Sequence, residues 1–192
     1  MSQPSVFKET PGERLQNFLI ARFGEIPGRI VPLTPDASTR EYFRIDWQKS
    51  TAIACVYGEK FEPETQPYLD VTNLFAASGL PVAKVYEVSS EFGIIVHEDF
   101  GNKILRPVLE IASEEERETL INQAISLIAG IQAATPKAFE LDSIASRLAF
   151  DEEKLGWEIN FFTKHFFESL REEHLSETDA ASLKNELGEV TT

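Results

Sequence analysis

A turn of small polar residues, Pro35-Asp36-Ala37-Ser38-Thr39-Arg40, separates a β-like run at 29–34 from an alternating aromatic strand, Glu41 to Trp47. No other stretch constrains the fold as tightly. The period-two pattern after the turn specifies a strand with one buried face. The turn residues are small enough to bring backbone N–H groups up to an anion, which is how a loop that covers a phosphate is built. An ordinary hairpin with a solvated Arg40 is the competing reading of the same residues.

The flanking pattern extends this into a lobe. From Pro11, apolar positions at Leu15, Phe18, Leu19 and Phe23 recur at helical spacing and stop at Gly24, a residue suited to the left-handed position after a helix. A third β-like run covers 51–57, and a second helix over 65–78 ends at Gly79. Strands at 83–88 and 93–97 meet at the Ser89-Ser90-Glu91 turn. At Gly101 the character changes. A short amphipathic piece at 102–110 leads to Ser113-Glu114-Glu115-Glu116, a capping box that opens a helix to about Ala134, stopped by Pro136. Its positions Leu120, Ala124, Leu127, Ile128 and Ile131 are expected to form one buried stripe. The helix expected over 151–172 carries Trp157, Phe161, Phe162, Phe166 and Phe167 at core-like spacing, and a last helix starts near Ser176. The expected class is α+β: a frayed 1–12, a five-stranded lobe over 13–101 and a helical segment over 102–192.

Composition narrows the function. With 42% hydrophobic residues the chain is a folded protein rather than a disordered one. Thirty-two acids against 18 bases give a net charge of −14, which speaks against nucleic acid or an anionic membrane as partner. One cysteine, Cys55, and three histidines make neither a disulfide framework nor a zinc site. The start of the chain lacks the apolar stretch of a secretion signal, and no run is long enough to cross a bilayer, so a cytoplasmic location is expected.

The segments LTPDASTREYFRI (33–45), PYLDVTNLFAASGLPVAKVY (67–86), GIIVHEDFGN (93–102) and FDEEKLGWEINFFTKHFF (150–167) resemble the aminoglycoside phosphotransferase family, which has a protein-kinase-like fold. Within it they are most similar to bacterial kinases of N-acetylmuramate and N-acetylglucosamine that serve cell-wall recycling. The resemblance implies an ATP-dependent kinase, using Mg²⁺, whose acceptor is a small-molecule hydroxyl. It makes Asp36, Ser38, Thr39 and Arg40 the nucleotide loop and residues His97, Glu98 and Asp99 the hinge that reads the adenine edge, with Ala54 packing on the purine. The strand lysine that holds the α/β-phosphates in such kinases is missing from 51–57, and Lys60 is the nearest substitute. Asp70 stands where the acid of the facing helix is expected, to pair with Arg40 or Lys60 or simply to face solvent. Trp157, Glu158 and Asn160 fall on the acceptor side.

Phosphoryl transfer also needs an Asp to position the acceptor and an Asn and a second Asp for Mg²⁺. Nothing after residue 100 supplies His-x-Asp-x-x-x-x-Asn. No catalytic residue and no metal ligand is therefore assigned within the chain, which resembles the front part of a kinase and is expected to be inactive by itself. The alternative is a truncated, non-catalytic kinase-like module that binds a partner or self-associates through its C-terminal helices.

Overall fold

The structure, a computed structural model, describes residues 7–34, 39–149, 151–172 and 174–190. Thr10 starts the first helix, α1 (Pro11–Phe23): its hydroxyl accepts from the Glu13 N–H and the Glu13 carboxylate accepts from the Thr10 N–H, so both orphan donors of the first turn are met. Gly24, at φ 83°, closes the helix by donating its N–H to Ile20 O. The five strands are β1 (Ile30–Pro32), β2 (Glu41–Trp47), β3 (Ser50–Val56), β4 (Val85–Ser89) and β5 (Ile94–Glu98). They form one antiparallel sheet in the order β1-β2-β3-β5-β4, so the last strand in sequence lies inside the sheet. This is the α+β architecture expected from the sequence. β1 is shorter than the run at 29–34 suggests, and β3 begins one residue earlier.

Alternation divides the sheet into two faces. Phe43, Ile45, Trp47, Ala52, Ala54, Val56, Ile94 and Val96 form one buried cluster with Leu15, Phe18 and Leu19 of α1. The register Tyr42↔Cys55, Arg44↔Ile53 and Ile53↔His97 puts Tyr42, Arg44, Ile53, Cys55, Ile95 and His97 on the opposite face. The helix α2 (Pro67–Ala77) approaches that second face, where the Tyr68 ring lies 5.8 Å from the His97 ring.

Arg14 is the unexpected member of α1. It is 1% exposed, and its guanidinium donates to Phe92 O at 2.7 Å and Tyr57 O at 2.6 Å, joining the helix to the end of β3 and to the turn before β5. Gly93 in that turn has φ +65°, and a Cβ there would stand 2.9 Å from Glu59 O and 3.0 Å from Arg14 Nη1. Only glycine combines that backbone conformation with such close packing.

After β5 come α3 (Leu105–Ile111), α4 (Glu114–Ala133) and α5 (Thr135–Glu140). Ser113 and Glu116 form the expected capping box of α4. Pro136 sits in the first turn of α5, where its missing N–H costs nothing, so it opens a helix as well as following one. The stripe on α4 departs from expectation. No residue of that helix is buried: Leu120 and Ala124 are half-covered, while Leu127, Ile128 and Ile131 are 43%, 58% and 46% exposed. Amphipathic spacing shows that a face suits burial, and it leaves open what lies against it. Asp70 of α2 joins this region to the sheet lobe, because its carboxylate accepts from Ser143 Oγ at 2.6 Å and from the Ile144 N–H at 2.9 Å. By packing the chain forms two compact units, divided after Ser146.

The second unit, from Arg147 on, contains α6 (Glu152–Thr163), its π-helical continuation Lys164–Leu170, and α7 (Glu177–Val190). The aromatic run expected to be core is half-exposed, with Trp157, Phe161 and Phe162 between 50% and 54% accessible. These rings stack on one another along the helix instead: Trp157 on Phe161 at 5.4 Å and Phe162 on Phe166 at 5.2 Å.

Candidate functional site

The strand β5 leaves the sheet at Glu98, and the side chain that follows organises its exit. The Asp99 carboxylate is 6% exposed and accepts from Arg44 Nε at 2.6 Å, Arg44 Nη2 at 2.9 Å, Thr51 Oγ1 at 2.7 Å and the Gly101 N–H at 2.9 Å. Arg44 also donates to Asn102 Oδ1 at 2.5 Å and to Gly101 O at 3.1 Å. One carboxylate and one guanidinium thus tie β2, β3 and residues 99–102 together. A planar guanidinium meeting a carboxylate through two parallel N–H donors is the strongest and most directional pairing a side chain makes. The Arg44 hydrogen bonds hold the Asp99 acid down at a pKa of about 2.

His97 and Glu98, the other residues expected from the sequence to form a hinge, are occupied in a different way. Glu98 pairs with the approach to β4: its N–H donates to Lys84 O at 2.8 Å and its carboxylate accepts from the Lys84 N–H at 3.2 Å. Sheet pairing ends at Ala52↔Glu98, so Asp99 and Phe100 are the first residues past the ladder. His97 lies on the second face with Nδ1 3.0 Å from Glu98 O. A carbonyl only accepts, so Nδ1 carries the proton and Nε2 is left as an acceptor. Burial lowers the His97 pKa from its ordinary value and favours this neutral form. The triplet His97-Glu98-Asp99 has the form His-x-Asp, yet Ile104 stands where the kinase motif has Asn, and the Asp is enclosed by Arg44 and Thr51.

Asp36 and Ser38, named from the sequence as part of a nucleotide loop, lie outside the described residues. Thr39 and Arg40 follow them directly. The Arg40 guanidinium carbon lies 5.8 Å from the Tyr42 ring centroid and 5.7 Å from that of Tyr57, which places it over the same face as Cys55 and His97. Burial pushes the Tyr57 phenol up to about 12 and raises the Cys55 thiol as well, so both are neutral at pH 7. Lys60 is exposed beyond the end of β3. Ala54, named from the sequence as a purine contact, faces the other way: it is fully buried under α1, and Ile53 and Cys55 occupy the strand positions that share a face with His97. Asp70 is held by Ser143 and Ile144, which corrects both its pairing with a strand-side cation and its solvated alternative.

In the second unit, Trp157 is 54% exposed with Lys154 Nζ 4.2 Å from its ring, and Glu158 pairs with Lys154 at 3.3 Å. Asn160 lines an open groove of about 340 Å³ between α6 and α7, beside Gly156, Ile159 and Leu183. Among the described residues no three His, Cys, Asp or Glu side chains converge as a metal site. None of their helices is long and apolar enough to cross a membrane.

Arg44, Thr51 and Asn102 were not singled out from the sequence. The signal for Arg44 was present, as a polar residue in the alternating strand Tyr42-Phe43-Arg44-Ile45, but its partner lies 55 residues away.

Two curated proteins are similar to this chain. The N-acetylmuramate/N-acetylglucosamine kinase of Neisseria meningitidis serogroup B is 25% identical over 154 residues, covering 80% of this chain and 43% of that protein. The N-acetylmuramate/N-acetylglucosamine kinase of Pseudomonas aeruginosa is 25% identical over 147 residues, covering 76% and 40%. The chain therefore spans less than half the length of either relative. Residues 29–183, from the strand before the polar loop through the first half of the last helix, match the phosphotransferase enzyme family known as APH, and the chain belongs to that family.

Proposed function

We propose that this chain is the nucleotide-binding part of an ATP-dependent phosphotransferase that phosphorylates a hydroxyl of a small molecule. An amino sugar of the N-acetylmuramate or N-acetylglucosamine type is the favoured acceptor, and cell-wall recycling in the cytoplasm the setting. The observation that carries this reading is the junction at Asp99. A central strand ends where a buried guanidinium–carboxylate pair fixes the outgoing backbone, and on the same sheet face an arginine follows a loop of small residues. Those are the two fixed points a nucleotide needs: an edge for the base and a cation for the phosphates. The family match and the names of both relatives support the same class of activity.

In this reading the Thr39–Arg40 end of the loop approaches the phosphates, together with Asp36 and Ser38, and the backbone past His97 and Glu98, held by Asp99, faces the base. Residues 13–101 are the nucleotide lobe and 102–192 part of a helical lobe, where Trp157, Glu158 and Asn160 lie toward the acceptor. Among the described residues no cluster of side chains fits a Mg²⁺ ion, and in a working kinase of this type its ligands lie elsewhere. The acidic charge of −14 speaks against nucleic acid and anionic membranes as partners.

The purified 192-residue chain is expected to bind ATP weakly and to release no ADP. Titration with ATP followed by NMR, alongside a coupled ADP assay with each amino sugar, tests both parts. Sustained ADP release would place catalysis inside this chain and overturn the assignment of the catalytic groups elsewhere. A second reading, a non-catalytic binding or self-associating module, is favoured by the exposed apolar face of α4.

A further inference from the structure

We propose that Arg40 is the phosphate anchor of this nucleotide site and takes the place of the lysine that the third strand lacks; the assignment rests on the nucleotide reading above. On the face of β3 opposite α1 the strand offers Thr51, Ile53 and Cys55, none of them a cation. Cys55, the last of these, lies across from Tyr42 near the end of the strand, and burial raises its thiol pKa, so it supplies no charge there. The charge comes from the neighbouring strand instead. Arg40 begins where the polar loop ends, and the register Tyr42↔Cys55 brings the start of β2 alongside the end of β3.

The guanidinium crosses that junction. It lies 5.8 Å from the Tyr42 centroid and 5.7 Å from the Tyr57 centroid, so it spans the two strands rather than extending from one. Both rings hold it by their negative faces. The Tyr57 phenol beside it does not compete for its charge as an anion, because burial pushes its pKa up to about 12. Tyr57 is itself fixed, since its carbonyl accepts from buried Arg14 and its N–H donates to Gly93 O. The platform under Arg40 is therefore part of the rigid sheet while the residue it supports adjoins the loop. A planar fork of N–H donors suits two phosphate oxygens at once, which a lysine does not. Lys60 fits the role less well, because it is exposed beyond Gly58 and outside the strand.

The test compares ATP with adenosine, since an anchor for phosphates acts on one and not on the other. NMR titrations of the 192-residue chain give both dissociation constants for the wild type and for Arg40→Ala, Arg40→Lys and Lys60→Ala. Loss of a charge-assisted contact is expected to weaken ATP binding by about tenfold or more in Arg40→Ala, with adenosine binding changed less than about twofold on the same scale of contact energies. Arg40→Lys keeps the charge and recovers part of the loss, and Lys60→Ala leaves ATP binding unchanged. Amide spectra of each variant show that the sheet is intact. Equal ATP binding by Arg40→Ala and wild type overturns the assignment, as does an equal loss for ATP and adenosine, or a loss in Lys60→Ala that matches that in Arg40→Ala. A wild-type chain that binds neither ligand overturns the nucleotide reading and this assignment with it. A chain that binds adenosine and ATP equally well overturns the anchor alone.

Discussion

Replacing Asp99 by Asn tests whether the exit from β5 is held by charge or only by shape. The amide is nearly isosteric, so packing is conserved, but its NH₂ group meets donors where the carboxylate met them: Arg44 Nε at 2.6 Å and Thr51 Oγ1 at 2.7 Å from the same oxygen. Thr51 can rotate to accept, whereas Arg44 cannot. The Asp99 pKa falls from 3.8 to about 2, chiefly through the Arg44 hydrogen bonds. Roughly 1.4 kcal/mol per pKa unit makes the gross effect about 2.5 kcal/mol. Solvent screening on the open side of the pair reduces it to about 1–2 kcal/mol. Urea unfolding at pH 7, followed by the emission of buried Trp47 in a Trp157→Phe background, measures this loss in the sheet lobe. The pH dependence sharpens the test. A carboxylate whose folded pKa is depressed stabilises fully above 3.8 and loses that contribution as pH falls through about 2. The gap between wild type and Asp99→Asn must therefore close over that window. His97 also has a depressed pKa, from burial, and its contribution is lost as pH drops below the ordinary 6.5. Asp99 raises that pKa against the larger effect of burial, so the two proteins also differ through His97, and the comparison is made within the Asp99 window alone. Equal stability at pH 7, or a gap that stays constant as the pH is lowered from 5 toward 2, would refute the charge argument.

Two further outcomes follow from the packing. Arg14→Met keeps the aliphatic stem but leaves Phe92 O and Tyr57 O without their donor, which costs about 2–4 kcal/mol in the same urea assay; a loss below about 1 kcal/mol would show that water replaces the guanidinium there. Ile128, 58% exposed on the apolar side of α4, makes self-association testable by light scattering: the chain is expected to form oligomers that Ile128→Glu reduces to monomers, and a wild-type chain that is monomeric at high concentration would count against the interaction-module reading.

What was legible in the sequence had local causes. The Ser113–Glu116 box, Gly24 and Gly79 each act within a turn or two of the chain, so the start of α4 and the ends of α1 and α2 followed from neighbouring residues, whereas the Thr10–Glu13 box lies in a stretch expected to be frayed. The alternation of Glu41 to Trp47 gave β2 its bounds and its buried face for the same reason. Burial of the helices was less legible, because it depends on what lies opposite. Leu127 and Ile128 have the spacing of a core face and are exposed, while Arg14 looks like a surface residue and is buried, since its hydrogen-bonding partners are carbonyls 43 and 78 positions away.

The site was partly visible for a related reason. Asp99 and Arg40 could be named because each adjoins a recognisable turn, but the chemistry of Asp99 depends on register. Arg44 lies opposite Ile53, Ile53 lies opposite His97, and Asp99 is two residues further along the same face. One step beyond the pair Ala52↔Glu98 brings Thr51 level with Asp99. A one-residue shift of β2 against β3 would turn Arg44 to the α1 side, and one of β5 against β3 would carry Asp99 away from it; either breaks the pair. The ion pair and the register therefore specify one another: a slipped β2 would have to bury Arg44 against Leu15, Phe18 and Leu19 of α1 without a partner, and would turn Phe43 and Ile45 out of that core. That cost, larger than the net gain from the pair itself, is what makes the polar side of this sheet an element of its folding specificity as well as the support of its hinge.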